Sequence, residues 1–426
     1  MKPLRIKGGR VIDPANSMDE VRDVLVRDGK IVAVPLPQSR GDEAEVIDAR
    51  GKIVVPGLID MHVHLREPGR SDQETIETGT RCAARSGFTS VVCMPNTSPA
   101  ADNTGTIAFI KQRAAEAGSV NVFPTGAITK ELKGEELAPI GSLKRAGVVA
   151  IADDGHCIQN NDLMRHAVEY AKMFGLPVLD HCQDYNLTAE GMAHEGYWST
   201  VLGLQGWPAV GEDVIVARDV LLAELTDWCI HCQHVSSARA VELIRDAKRR
   251  GVKISAEVTP HHFTLTDECL KDYDSNFKMN PPLRTASDRD ALLAGLADGT
   301  IDCIVSDHAP HCTHEKEVEF DLAPFGIIGL ETELALALEL VRKKVLTLQQ
   351  LVEKFTVNPS RLLRLSKGTL SPDADADITL IDLDRKWTYD VGKSASKSRN
   401  SPFNGSNLQG KAVMTIVGGK IVWRDE

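Results

Sequence analysis

The sequence predicts an α/β fold: a TIM-like (β/α)8 barrel with a small β-sandwich domain formed from both chain ends. Three observations carry that prediction. Eight short apolar runs alternate with helix-like stretches, the two chain ends show antiparallel β patterning, and histidines and aspartates gather where the apolar runs finish.

The apolar runs lie at 53–64, 90–96, 121–128, 147–154, 177–182, 229–235, 253–258 and 301–307. Between them, segments such as 104–117, 162–174 and 238–250 carry apolar residues at three- and four-residue spacing, the period of a helix with one buried face. Strand and helix in alternation require a parallel sheet, and eight such strands close into a barrel. A barrel absorbs about 250 residues or more as one unit, so 426 residues hold it together with a smaller domain.

The ends read differently. VRDVLVRDGKIVAV (21–34) alternates apolar and polar residues around an Asp-Gly turn, and ADITLIDL (376–383) and AVMTIVGGKIVW (412–423) repeat the pattern. The economical arrangement is one composite β-sandwich whose N-terminal part is 1–54 and whose C-terminal part is 367–426, with the barrel at 55–366 inserted between them.

Composition sets outer bounds. An apolar fraction of 42% and a charged fraction of 26% suit a packed globular core. A net charge of −11 argues against nucleic-acid or anionic-membrane partners, while one buried arginine can still hold an acidic substrate. The start, MKPLRIKGGRVIDP, has no apolar stretch of signal-peptide length, and no run approaches the roughly 18 residues of a membrane span. Nine cysteines, an odd number scattered from Cys82 to Cys312, fit buried thiols in a reducing compartment better than a disulfide framework. The expectation is a cytoplasmic protein.

The strongest local signal is DMHVHLREPG at 60–69. Residues i and i+2 of a strand share a face, so His62 and His64 point together into the barrel mouth, where two imidazoles can share a metal ion. Other strands end alike: Asp153-Asp154 on the fourth, Asp180-His181 on the fifth, His231 to His234 on the sixth, and Ser306-Asp307-His308 on the eighth. Five of eight strands therefore finish on a potential ligand or proton carrier, at the end of the barrel where this fold places active sites. His166 and His194 fall on helix or loop and are set aside.

Taken together, DMHVHLREPG, VCMPNT (92–97), ADDG (152–155), DHCQD (180–184), HVSS (234–237), FKMNPPLR (277–284), SDHAPH (306–311) and APFGIIGLET (323–332) resemble the amidohydrolase superfamily and, within it, the dihydroorotases. The resemblance spans essentially the whole chain. It implies His62, His64 and Asp307 around one metal, His181 and His234 on a second, and a carboxylate shared between them. Many relatives supply the bridge with a carboxylated lysine on the fourth strand. Here the nearest upstream lysine is Lys144, before that strand, so the chain resembles the branch with aspartate in that place. Asp154 is preferred to Asp153 because it stands 27 residues before His181, the spacing expected in that branch. The sequence leaves open one metal or two.

The resemblance further implies zinc, which His and Asp ligands suit, although manganese and cobalt stay open. Asp307 would take a proton from water and deliver it to the leaving nitrogen. Arg66, two residues after His64, would face the mouth with a planar fork suited to a carboxylate. Asn96 would be a second carboxylate anchor, Asn280 and His311 would hold ring and carboxylate, and the run from Pro324 through Phe325 to Gly326 would offer backbone groups to a pyrimidine ring. The implied reaction is reversible, zinc-dependent cyclisation of N-carbamoyl-L-aspartate to (S)-dihydroorotate in pyrimidine biosynthesis. The partner implied is a second copy of the chain, as a homodimer, and association with aspartate carbamoyltransferase stays open.

Two other readings compete. An amidase for uncharged rings, such as a hydantoinase or allantoinase, sits poorly with the missing lysine and the Arg66–Asn96 pair. A non-catalytic scaffold subunit should have lost ligands that are all present here. The pair Cys229 and Cys232, with Cys232 expected on the face of His234, receives no redox or zinc role. His261 and His262 are expected only to line the mouth, and the polar stretch 312–320 to form a loop without assigned role.

Overall fold

Parallel pairing, the consequence of strand–helix alternation, builds the barrel in the computed structural model, which describes residues 2–32 and 44–425. The strands are Leu58–Val63, Phe88–Cys93, a third in two pieces (Asn121–Pro124 and Gly126–Ala127), Ile151–Ala152, Val178–Asp180, Ile230–Cys232, Ile254–Val258 and Cys303–Ile304. The first three pair in order, as do the second piece of the third and those that follow. The ring closes where Val63 bridges His308 and the His64 N–H donates to the His308 carbonyl at 2.9 Å. Helices Thr104–Ala117, Asn161–Met173 and Ala238–Arg249 fall where the apolar spacing predicts, capped by Asn103, Asn160 and Ser237.

The expected first strand, 53–64, is two strands. Ile53–Pro56 belongs to the terminal sheet and Leu58–Val63 to the barrel, with the break at Gly57. A Cβ on Gly57 would come within 2.0 Å of Thr89 Oγ1, so only glycine lets the chain pass from one sheet to the other here. The terminal sheet runs in the order Lys420–Arg424, Asn407–Val417, Ile378–Thr388, Ile53–Pro56, Leu4–Asp13, Met18–Arg27, Lys30–Val32, with Glu45–Asp48 also paired to Leu4–Asp13. Both chain ends thus enter one sheet, joined where Ile378 to Ile381 run antiparallel to Pro56 to Ile53. Its apolar face is filled by Ile6, Val24, Val54, Ile378, Leu380 and Ile416 among others. Ala33 and Val34, at the end of the alternating run, lie outside the described residues.

Strand alternation decides what reaches the mouth. Val92, Met94, Ala150, Ala152, Leu179, Cys303 and Val305 form one buried cluster inside the barrel, whereas Val91, Cys93, Ile151, Val178 and Ile304 pack outward in the larger core. Continuing the inward parity along each strand arrives at Asn96, Asp154, His181 and Asp307. No helix among the described residues is long and apolar enough to cross a membrane.

Candidate metal centre and active site

Asp154 is the hub. Its Oδ2 lies 3.3 Å from His62 Nε2 and 3.5 Å from His64 Nε2, while its Oδ1 lies 3.5 Å from His181 Nδ1 and 3.4 Å from His234 Nε2. Asp307 closes the first side, with Oδ1 3.1 Å from His64 Nε2 and 3.5 Å from His62 Nε2. All six side chains are buried. Two overlapping sets of donors converge closely enough to hold an ion: His62, His64 and Asp307, and His62, Asp154 and His234.

Asp153, one residue earlier, faces away from the mouth. It accepts from the Ile128 N–H at 2.7 Å and the Thr129 N–H at 3.1 Å, and from the Thr129 hydroxyl. It ties the third strand to the fourth.

His234 reaches the site against the parity of its strand. Ile230 and Cys232 pack outward in the larger core, and a left-handed backbone at His234 (φ 31) turns its ring to the mouth. Cys232 therefore does not share the face of His234; its thiol groups instead with Cys182 and Asp219. Arg66 (φ 56) and Asp307 (φ 44) are also left-handed. Such conformations in non-glycine residues cost on the order of 1–3 kcal/mol and persist where surrounding structure imposes them, as at functional sites.

Hydrogen bonds fix which nitrogens face the cluster. His64 Nδ1 lies 2.9 Å from Asn96 Oδ1, which leaves Nε2 toward the carboxylates. His181 Nε2 lies 3.0 Å from Gln183 Oε1, which leaves Nδ1 toward Asp154. His62 Nδ1 lies 2.6 Å from Glu257 Oε1. Glu257 was missed by sequence reasoning that looked only at strand ends; a glutamate inside the apolar seventh strand was the available signal. Burial pushes Asp154 and Asp307 up, but the facing histidines outweigh it, His62 foremost, and hold both below the usual carboxylate range.

The donor set fits a divalent ion. His62 Nε2 and Asp154 Oδ1 are fully buried and lack any hydrogen-bond partner among the described residues, an unfavourable state for polar atoms unless a ligand satisfies them. Imidazole and carboxylate suit a borderline metal of the zinc type.

The pocket over this cluster is lined by Arg66, Asn96, Asn280, His311, Phe325 and Gly326, together with His156, which the sequence did not suggest. The Arg66 Nε–H donates to the Pro310 carbonyl at 3.2 Å, and no carboxylate among the described residues pairs with its guanidinium. Burial lowers Arg66 to about 10, so it stays cationic at neutral pH. Asn280 offers an Oδ1 that is buried and has no partner among the described residues. His311 has both ring nitrogens occupied: Nε2 donates to the Phe325 carbonyl at 2.8 Å, and Nδ1 lies 3.3 Å from Gln73 Nε2. The backbone of Pro324 to Gly326 is engaged within the protein too, since Lys316 Nζ donates to the carbonyls of Pro324 (2.8 Å) and Gly326 (3.2 Å). His261 and His262 are buried and lie outside the pocket lining; His262 Nε2 donates to the Pro281 carbonyl at 2.9 Å.

Comparison with known proteins identifies the family. Residues 51–240 match the dihydro-orotase-like family model, and residues 223–423 match the amidohydrolase family model. The dihydroorotase of Pelotomaculum thermopropionicum is 57% identical over 423 residues, covering 99% of each chain. That of Geobacter metallireducens is 52% identical over 421 residues, again covering 99% of each. Among solved structures, the L-hydantoinase (dihydropyrimidinase) of Arthrobacter aurescens superposes with a TM-score of 0.90 at 26% identity, covering 100% of this chain and 97% of that one. With the family models covering the barrel and the relatives matching end to end, the chain belongs to the dihydroorotases, cyclic amidohydrolases of the amidohydrolase superfamily.

Proposed function

We propose that this protein catalyses the reversible cyclisation of N-carbamoyl-L-aspartate to (S)-dihydroorotate, using a zinc centre held by His62, His64, Asp154, His181, His234 and Asp307. The observation that carries the substrate choice is Arg66, a guanidinium at the mouth with no carboxylate partner among the described residues, beside the Asp154 cluster. A half-buried cation without an acid partner is costly unless a ligand supplies the charge. Dihydroorotate carries that carboxylate, whereas dihydrouracil and simple hydantoins do not.

A bound divalent ion supplies Lewis acidity to the scissile carbonyl and makes water nucleophilic at neutral pH. The remaining work belongs to the chain. Asp307, held ionised by His62 and His64 against the effect of burial, accepts the proton of the attacking water and hands it to the ring nitrogen as the amide opens; cyclisation runs the same transfers in reverse. Arg66 and the Asn96 amide orient the substrate carboxylate, and Asn280 Oδ1 accepts from a ring N–H. His311 carries the Phe325 wall through its Nε2–H. Asp154 joins the two histidine pairs, which supports two ions, with one ion on the His62–His64–Asp307 side as the simpler case.

In this reading the barrel, expected at 55–366, carries the chemistry, and the two chain ends form the β domain that packs beside its second strand, where the Thr379 hydroxyl donates to the Gly87 carbonyl. The protein works in the cytoplasm as a homodimer, with aspartate carbamoyltransferase as its candidate partner. Competition between dihydroorotate and dihydrouracil tests the substrate. The proposal expects kcat/KM to favour dihydroorotate by at least about 100-fold, the worth of a charged pair; equal values would contradict it.

A further inference from the structure

Two lysines behind the pocket wall are not used by the reading above. Lys316 is 4% exposed and Lys278 3%, and neither has a carboxylate within ion-pair distance among the described residues. A buried ammonium needs compensating acceptors, and here they are backbone carbonyls. Lys316 Nζ donates to Pro324 O at 2.8 Å, to Gly326 O at 3.2 Å and to Lys278 O at 3.4 Å. Lys278 Nζ donates to Phe320 O at 2.7 Å and Asp321 O at 2.9 Å, and sits 4.8 Å from the centre of the Phe325 ring. The Gly326 N–H donates to Lys278 O at 2.9 Å. Gly326 itself is left-handed (φ +117), and a Cβ there would come within 2.7 Å of Ala309 Cβ.

Lys316 therefore stands at the start of the segment 312–326 and grips the two carbonyls that flank Phe325 at its end. The Ser275 hydroxyl holds the Lys316 carbonyl from the other side. We propose that Lys316 is a positioning residue for the substrate-facing backbone, its Nζ fixing the Pro324–Gly326 peptides, and with them the Phe325 face, in the geometry that receives the ring. The role in catalysis rests on the site reading above; the grip on the backbone does not.

The charges around Lys316 make the grip sensitive to pH. Burial and the facing Lys278 push its ammonium down to about 7, against the pull of Asp274. Asp321 faces Lys278, and His311, pressed down to about 3 chiefly by burial, adds no positive charge near neutrality. The sign follows from that shift: a solvated lysine keeps its proton to about 10.5 and the buried one only to about 7, so the closed segment gains over an open one as pH rises through 7, and Lys316 Nζ then holds the carbonyls as a neutral amine. Loss of the two bonds from Lys316 Nζ to Pro324 and Gly326 is worth about 10-fold or more.

Amide hydrogen exchange of the metal-loaded enzyme reads this directly, with each rate divided by its intrinsic value at that pH. Protection of the Gly326 amide should rise between pH 6 and 9 in the wild type, and at pH 9 should be at least about 10-fold lower in Lys316→Met, while the strand Ile254–Val258 keeps its protection. The same variant should raise KM for dihydroorotate about 10-fold with kcat within about 2-fold. Wild-type protection that is flat or falls with pH overturns the proposal, as does a variant with unchanged exchange and KM. If Lys316→Met does not fold, the wild-type series decides alone. Exchange that behaves as expected in an enzyme inactive on dihydroorotate supports the grip and refutes the substrate reading instead.

Discussion

Glu257 Oε1 stands 2.6 Å from His62 Nδ1, so a carboxylate buried in the seventh strand orients this histidine from behind. Its other oxygen lies 3.0 Å from His231 Nε2, and His231 Nδ1 lies 2.8 Å from Ser255 Oγ. Burial pushes Glu257 up, but His62 and His231 outweigh it and hold the group at about 2. The His62 Nδ1–H is thus committed to Glu257, and its Nε2 lone pair faces Asp154 and Asp307.

Glu257→Gln should weaken metal affinity about 10- to 100-fold, the usual cost of removing the carboxylate behind a ligand histidine. Metal titration of the stripped enzyme checks this, with activity recovered at excess zinc. Unchanged affinity would mean that His62 does not depend on Glu257 for its orientation.

Adjacent aspartates should separate cleanly. Asp154→Ala should keep the fold and lose metal and turnover. Asp153→Ala should keep metal but lose stability by on the order of 2 kcal/mol or more, because two buried N–H groups lose their acceptor. Metal analysis and thermal unfolding of both variants provide the check, and the reverse pattern would exchange the two roles.

Arg66→Met should raise KM for dihydroorotate at least about 30-fold, the loss of a buried charge pair, while metal content stays constant. If KM stays normal, the carboxylate is held elsewhere in the pocket.

The strand-end rule made most of the cluster legible in the sequence, because periodicity fixes which residues emerge together. It works for Asp154, where parity with Ala150 and Ala152 reproduces the choice made from spacing. It misleads at His234, where a positive φ breaks the alternation and sends Cys232 and His234 to opposite sides. It misses Glu257, which lies within a strand and touches the cluster from behind, through the His62 ring and the His234 backbone N–H. The break at Gly57 was equally hidden, since the apolar run passes through it unbroken; what stops the strand is contact with Thr89, a long-range fact. The same holds for Lys316, whose partners are carbonyls of residues with no sequence signal of that contact.

The central claim, a metal-dependent dihydroorotase built on Asp154 and its four histidines, is tested most directly by one experiment on one sample. Purified enzyme is assayed for dihydroorotate ring opening with its metal content determined, then stripped by chelation and reloaded with zinc. The account predicts one or two ions per chain, loss of activity on stripping and its return on reloading. Full activity in metal-free enzyme, or bound metal with turnover of hydantoin or allantoin but not of dihydroorotate, would contradict it.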